Sequence, residues 1–172
     1  MFMTRSNTER LLKWLQDAYA MEQEANTMLT ATAGRLEHYP QLKARIEQHI
    51  TETKGQSEQV KRCIDLLGGT TPAIKGALAS VMATVHAAGN SMMSDEVAKS
   101  LGISYAFEHL EVASYRALVI AAKQADQPQI AEICSAILDQ EIAMAEWLIE
   151  HQEATVLAFL ERERTDAQTA KR

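Results

Sequence analysis

The chain has few of the residues that build sheets and long loops. Aromatic side chains make up only 5% of it, and it holds three prolines and seven glycines against 47% hydrophobic residues. That balance disfavours a sheet protein and favours packed helices in one domain of 172 residues. Its two cysteines, Cys63 and Cys134, show no CxxC spacing. Both fall at expected core positions and read as small buried residues, not as a disulfide. No basic patch offsets the net charge of −6, which argues against nucleic acid as a partner; Arg162, Arg164, Lys171 and Arg172 are interleaved with polar and acidic residues in a solvated tail. The apolar stretch around Leu118–Ala122 is too short to span a membrane, and no signal peptide or lipidation motif is found. A cytoplasmic setting is the default expectation.

What is present is helical periodicity. Apolar residues recur at steps of three and four through four long stretches. The first should open at Ser6, where Ser6-Asn7-Thr8-Glu9 offers a capping box, with a seam through Leu12, Leu15, Tyr19, Glu22, Asn26 and Leu29. The second follows Pro40 with Leu42, Ile46, His49, Thr53, Gln56, Val60 and Cys63, and Gly68-Gly69 closes it. The third carries Val97, Leu101, Ser104, Glu108, Glu111, Tyr115, Leu118 and Ala122. After Gln127-Pro128 the fourth carries Ile130, Cys134, Ile137, Glu141, Met144, Leu148, His151 and Thr155. The pattern predicts two helical hairpins, about 7–68 and 95–162, joined by a crossover at 69–94 and followed by a frayed tail at 163–172. Pro72 opens a small-residue segment in the crossover, residues 73–88, that reads as a shorter helix.

Within those seams stand residues that an apolar core should exclude. Glu22 and Glu52 are 30 residues apart, and so are Glu111 and Glu141. The pairs align at one offset of 89, as do Leu12 with Leu101 and Leu29 with Leu118, while Pro40 and Pro128 align at 88. Acids and turns repeating together indicate a duplicated hairpin. A single Glu at a seam position is more often a boundary residue reaching out to water. Four at matched spacing, with His49 one turn before Glu52 and Glu108 one turn before Glu111, reverse that preference.

Burying an unpaired carboxylate costs several kcal/mol, roughly, so such groups pair, protonate or bind metal. No seam position is Lys or Arg. Glu22, His49, Glu52, Glu108, Glu111 and Glu141 are therefore candidate metal ligands. The set is oxygen-rich, suited to two iron or two manganese ions better than to structural zinc. His109 points about 130° away from Glu108 and Glu111 at helical spacing and should face outward. Tyr19 and Tyr115 flank the acids by one turn, placed to donate hydrogen bonds to a ligand or to relay electrons, but as plain core tyrosines they need no such role, and that is the preferred reading. Gln56 and Asn26 suit hydrogen bonds to the carboxylates. His38, His86 and His151 have no evident partner.

Tyr19-Ala-Met-Glu22, His49-Ile-Thr-Glu52-Thr53 with Gln56, Glu108-His109-Leu-Glu111 and Leu138-Asp-Gln-Glu141 together resemble the ferritin-like superfamily. More closely, they resemble its Yci-type branch of bacterial stress proteins of unassigned function. The resemblance runs from about Arg10 to about Glu150. It implies an all-α, ferritin-like four-helix bundle with an additional short crossover helix, a dinuclear iron or manganese site and a homodimer. The chain departs from the Glu-x-x-His pattern of that superfamily, because Gly55 and Met144 stand where histidines would. It also lacks a ferritin-cage fifth helix and the paired CxxC of a rubrerythrin, which argues against storage and against built-in electron entry.

Two functions compete. One is redox chemistry on a small oxidant, peroxide or dioxygen, at the dinuclear site in stress defence, as in manganese catalases or peroxide-driven iron oxidation. The other is a non-catalytic bundle that buffers metal or serves as a stress-induced interaction module. An oxidase acting on an organic substrate is weaker, since no substrate pocket is evident from the sequence.

Overall fold

The computed structural model describes residues 2–72, 96–166 and 170, with backbone alone for residues 2–6. Four helices account for nearly all of them: α1 (Phe2–Ala33), α2 (Pro40–Leu66), α3 (Glu96–Gln124) and α4 (Pro128–Thr165). The short helix expected within residues 73–88 lies outside the described residues.

Both intra-hairpin turns end in the same way. Tyr39 (φ −124°, ψ 67°) and Gln127 (φ −119°, ψ 70°) lie outside the helical region, which a following proline disfavours, and Pro40 and Pro128 start their helices where no N–H is needed. The helix ends are built alike too. After α2, Gly69 N–H donates to Ile64 and Gly68 N–H to Asp65; after α3, Gln127 N–H donates to Ala122 and Asp126 N–H to Lys123. This is the Schellman arrangement, which requires a left-handed residue: Gly68 at φ 69° and Asp126 at φ 55°.

Two boundaries differ from the sequence expectation. α1 starts at Phe2, so Ser6 lies inside the helix and is not its cap. The polar side chain beside it serves a tertiary contact instead, since Asn7 Nδ2 donates to the Gln124 carbonyl at the end of α3. α4 continues to Thr165 with Arg162 and Arg164 in its last turn, where positive charge offsets the helix dipole. Beyond it, Ala170 is buried and its carbonyl accepts the Tyr39 hydroxyl. The tail is held at that point, where fraying was expected.

The helices pack as two hairpins, α1 with α2 and α3 with α4; α1 also lies on α3 and α2 on α4, the last being the sparsest of these contacts. Apolar residues form two clusters rather than one. The first gathers Leu11, Leu15, Val60, Leu118, Cys63 and Cys134; the second gathers Leu29, Ile46, Val97, Leu101, Met144 and Leu148. Between them lies a buried polar layer of Glu22, His49, Glu108, Glu111 and Glu141, each at most 1% exposed. The seams expected on α2, α3 and α4 are almost entirely buried. On α1 the buried face is shifted by about one residue, to Leu11, Leu15, Ala18, Glu22, Ala25 and Leu29.

The two left-handed positions give a matched test. Gly68→Ala should destabilise by about 1 kcal/mol, because a Cβ there is strained, and Asp126→Gly should stabilise by a comparable amount. Urea unfolding of both variants measures the opposite signs.

Candidate metal centre

Each helix supplies the polar layer from the middle of its buried face. α1 brings Glu22, α2 brings His49, α3 brings Glu108 and Glu111 one turn apart, and α4 brings Glu141. Among the described residues, one ligand atom from each of His49, Glu108, Glu111 and Glu141 lies within 4.8 Å of the others. His49 is central. Its Nε2 lies 3.2 Å from Glu108 Oε2 and 3.5 Å from Glu141 Oε2, while its Nδ1 is 2.8 Å from Glu52 Oε2.

Glu22 stands outside that group of four but faces it. It is fully buried, its Oε1 accepts a hydrogen bond from the Tyr115 hydroxyl, and its charge acts on Glu111. Glu52 is placed differently from its counterpart Glu141. The buried register of α2 runs through His49, Thr53 and Gln56, which leaves Glu52 at the margin with its side chain 21% exposed. There it pairs with Arg45 at 3.2 Å and accepts Gln48 Nε2 at 2.8 Å. The expectation that all four repeated acids lie in the apolar stripe therefore fails for Glu52.

Several carboxylate oxygens in the layer have no hydrogen-bond partner: Glu22 Oε2, Glu111 Oε1, Glu141 Oε2 and both oxygens of Glu108. The 3.2 Å approach of His49 to Glu108 is thus an ion-pair contact without hydrogen-bond alignment. Burial, reinforced by Glu141, pushes Glu22 up to about 8 although Tyr115 opposes it; burial likewise pushes Glu108 up to about 7 against the pull of His49. Glu111 is driven well above the usual carboxylate range by burial and then by Glu22, Glu141 and Glu108. Burial alone would lower His49, yet Glu108, Glu141 and Glu52 together hold it at about 11. Glu52, hydrogen-bonded to His49 and partly solvated, falls to about 2. Unpartnered, closely set oxygens with one imidazole are a donor set that fits a hard cation.

Partners in a second ring were partly legible in the sequence. Gln56 Nε2 donates to Glu141 Oε1 and, at 3.0 Å, to Gln140 Oε1, as its seam position suggested. Asn26 makes no such contact, and its buried Oδ1 has no hydrogen-bond partner. Tyr115 is not a plain core tyrosine, because it orients Glu22; its place one turn after Glu111 was the available signal. His109 is exposed and packs edge-on against Tyr105, and His151 stacks on Trp147. His38 is half-buried, and His86 lies outside the described residues.

A groove that the sequence did not suggest runs between α2 and α4. It measures about 740 Å³ and is lined by Glu52, Gly55, Gln56, Gln59, Ile133, Ala136 and Gln140 among others. It thus reaches the layer at Glu52 and Gln56.

The metal-free protein should show a characteristic pH response. Glu22 and Glu108 are raised from 4.5 to about 8 and about 7, so the folded chain holds protons that the unfolded chain releases in that interval. His49, raised from 6.5 to about 11, acts in the same direction at higher pH. Stability from these groups is therefore greatest at low pH and is lost as pH rises through the folded values. Glu52, lowered to about 2, loses its contribution as pH falls below 4.5. The Tm of chelator-treated protein should peak near pH 5, roughly, and fall steadily toward pH 8. A Tm that is flat or rising over that interval would contradict the charge balance described for the layer.

The chain matches the model of a domain of unknown function, DUF892, over residues 6–161. A Xanthomonas campestris protein of known structure is 60% identical, with 92% of this chain and 99% of that one covered and a TM-score of 0.81. The stress protein YciF of E. coli is 21% identical over 85% of this chain and 94% of its own, with a TM-score of 0.71. Bacterioferritin of Desulfovibrio desulfuricans, a protein with a diiron site, is 16% identical over 98% and 89%, again with a TM-score of 0.71. The last two likenesses establish the ferritin-like bundle, and with the family match over most of its length the chain belongs to the DUF892 family.

Proposed function

We propose that this bundle holds a dinuclear iron or manganese centre and uses it for redox chemistry on peroxide or dioxygen in stress defence. The observation that carries the reading is the set of unpartnered carboxylate oxygens around His49, a buried arrangement that only protons or cations relieve. Glu22, His49, Glu108, Glu111 and Glu141 would hold the ions, with Glu52 completing the shell from the margin of the groove. When bound, two such ions supply Lewis acidity and the capacity to exchange two electrons with a small oxidant.

The chain's own residues prepare that site. Glu52 accepts from Nδ1 of His49, which fixes the ring and directs Nε2 inward between Glu108 and Glu141. Tyr115 holds one oxygen of Glu22 and leaves the other free; Gln56, steadied by Gln140, does the same for Glu141. The apolar clusters on either side keep the layer dry, and the α2–α4 groove gives a small molecule a way to Glu52. Cytoplasmic location and a homodimer remain part of the proposal; among the described residues no helix is long and apolar enough to cross a membrane.

A non-catalytic metal buffer or stress-induced interaction module is the second reading. The single imidazole of the layer favours it, since Gly55 and Met144 occupy the positions at which related bundles carry histidine.

Elemental analysis of protein purified without chelators decides the first step. About two iron or manganese ions per chain are expected, with loss in both Glu22→Ala and Glu111→Ala. Metal should also raise the Tm by mass action. Peroxide consumption that disappears with chelator and returns with iron or manganese supports the redox reading. Stabilisation without turnover favours the buffer, and no uptake at all defeats both metal readings.

A further inference from the structure

Glu52 differs from the buried acids in having no oxygen to spare. Glu22, Glu108, Glu111 and Glu141 each keep at least one oxygen without a hydrogen-bond partner. Glu52 Oε1 accepts Gln48 Nε2 at 2.8 Å, while its Oε2 takes His49 Nδ1 at 2.8 Å and Arg45 Nη1 at 3.2 Å. All three donors come from α2 itself. Arg45 stands two helical turns before Glu52, with Gln48 and His49 between them, so the four share one stripe of the helix.

The other hairpin offers the contrast. At the sequence offset that matches Glu52 with Glu141, Arg45 corresponds to Cys134 and Gln48 to Ile137, so neither the cation nor the amide has a counterpart. Glu141 accordingly keeps Oε2 free, with only its Oε1 held by Gln56. The Arg45 side chain is 11% exposed and that of Glu52 21%, so water screens their ion pair less than one on the open surface. A guanidinium also stays charged at every working pH, so the pair does not dissolve by titration of Arg45.

Resting on the metal reading above, we infer that Arg45 is a positioning residue of the centre: it holds Glu52 at the margin of the groove and competes with a bound cation for that carboxylate. The buried acids offer free oxygens at once, whereas Glu52 offers Oε2 only when Arg45 releases it. Two cations are then held unequally, and the Arg45–Glu52 pair sets the weaker affinity.

The test titrates the full, chelator-treated chain with manganese(II) alone, without oxygen, and reads the free ion from its electron paramagnetic resonance signal. In Arg45→Gln the weaker affinity should tighten roughly ten-fold, the effect of removing one charged hydrogen-bond donor. Arg45→Met, which keeps the apolar stem, should behave alike. In a Glu52→Gln background the same Arg45→Gln change should alter affinity by no more than about two-fold, because the competition acts through that carboxylate. Unchanged affinity in both Arg45 variants, while the wild-type chain binds manganese, would overturn the inference alone. So would equal tightening in the Glu52→Gln background, which would make Arg45 a through-space charge, or failure of both variants to fold, which would make it part of the framework. No uptake by the wild-type chain defeats the metal reading and this inference with it.

Discussion

Four carboxylates and one imidazole share a layer from which water is excluded, and the rest of the bundle is arranged around that fact. Each of the four helices contributes at least one of these groups at mid-length, and each apolar cluster closes one side of the layer. Such a layer is costly as a source of stability, because burial and mutual repulsion both oppose its charged state. Glu22, Glu108 and Glu111 are raised for that reason, while the one cation among them, His49, is held in its charged form by its neighbours. Apolar residues of similar volume would pack at least as well. The layer is therefore not explained by what it contributes to folding.

The matched spacing of acids in the two hairpins supplies an approximate symmetry, and the departures from it shape the polar layer. Glu22 and Glu111 are both buried, as the repeat requires, but the second pair diverges: Glu141 is fully buried and Glu52 is not. At the same offset in sequence His49 corresponds to Leu138, Glu108 to Tyr19, and Gln56 to Ala145. The imidazole, the extra carboxylate and the orienting amide are thus each present in one half only. The groove opens on the α2–α4 side, where Glu52 lies next to solvent.

Much of this was legible before any coordinates. The seams of α2, α3 and α4 follow strict steps of three and four, so burial there could be read directly, including the acids. On α1 the pattern misleads, because Ala18, Met21 and Ala25 fill the buried face while Tyr19 and Asn26, one residue away, are only half-buried. Small residues give a weak periodic signal, and α1 was shifted accordingly. The Tyr115 bond to Glu22 joins α3 to α1 and depends on rotamers and on how those two helices sit together. Spacing along one helix carries no information of that kind.

The absent histidines of the Glu-x-x-His pattern have two different physical explanations. On α2 the helix is turned so that His49, Thr53 and Gln56 face inward, and position 55 faces out; a Cβ on Gly55 would meet nothing within 4 Å. A histidine there would stand over the groove, and His49, one turn before Glu52, takes the inward place instead. On α4 position 144 does face inward, but Met144 is fully buried in the second apolar cluster with Leu148. There the imidazole has been exchanged for packing. The one imidazole of the layer thus stands one turn before Glu52, and α3 brings Glu108 beside Glu111. That exchange makes the donor set richer in oxygen, and so suited to harder ions, than the pattern it resembles.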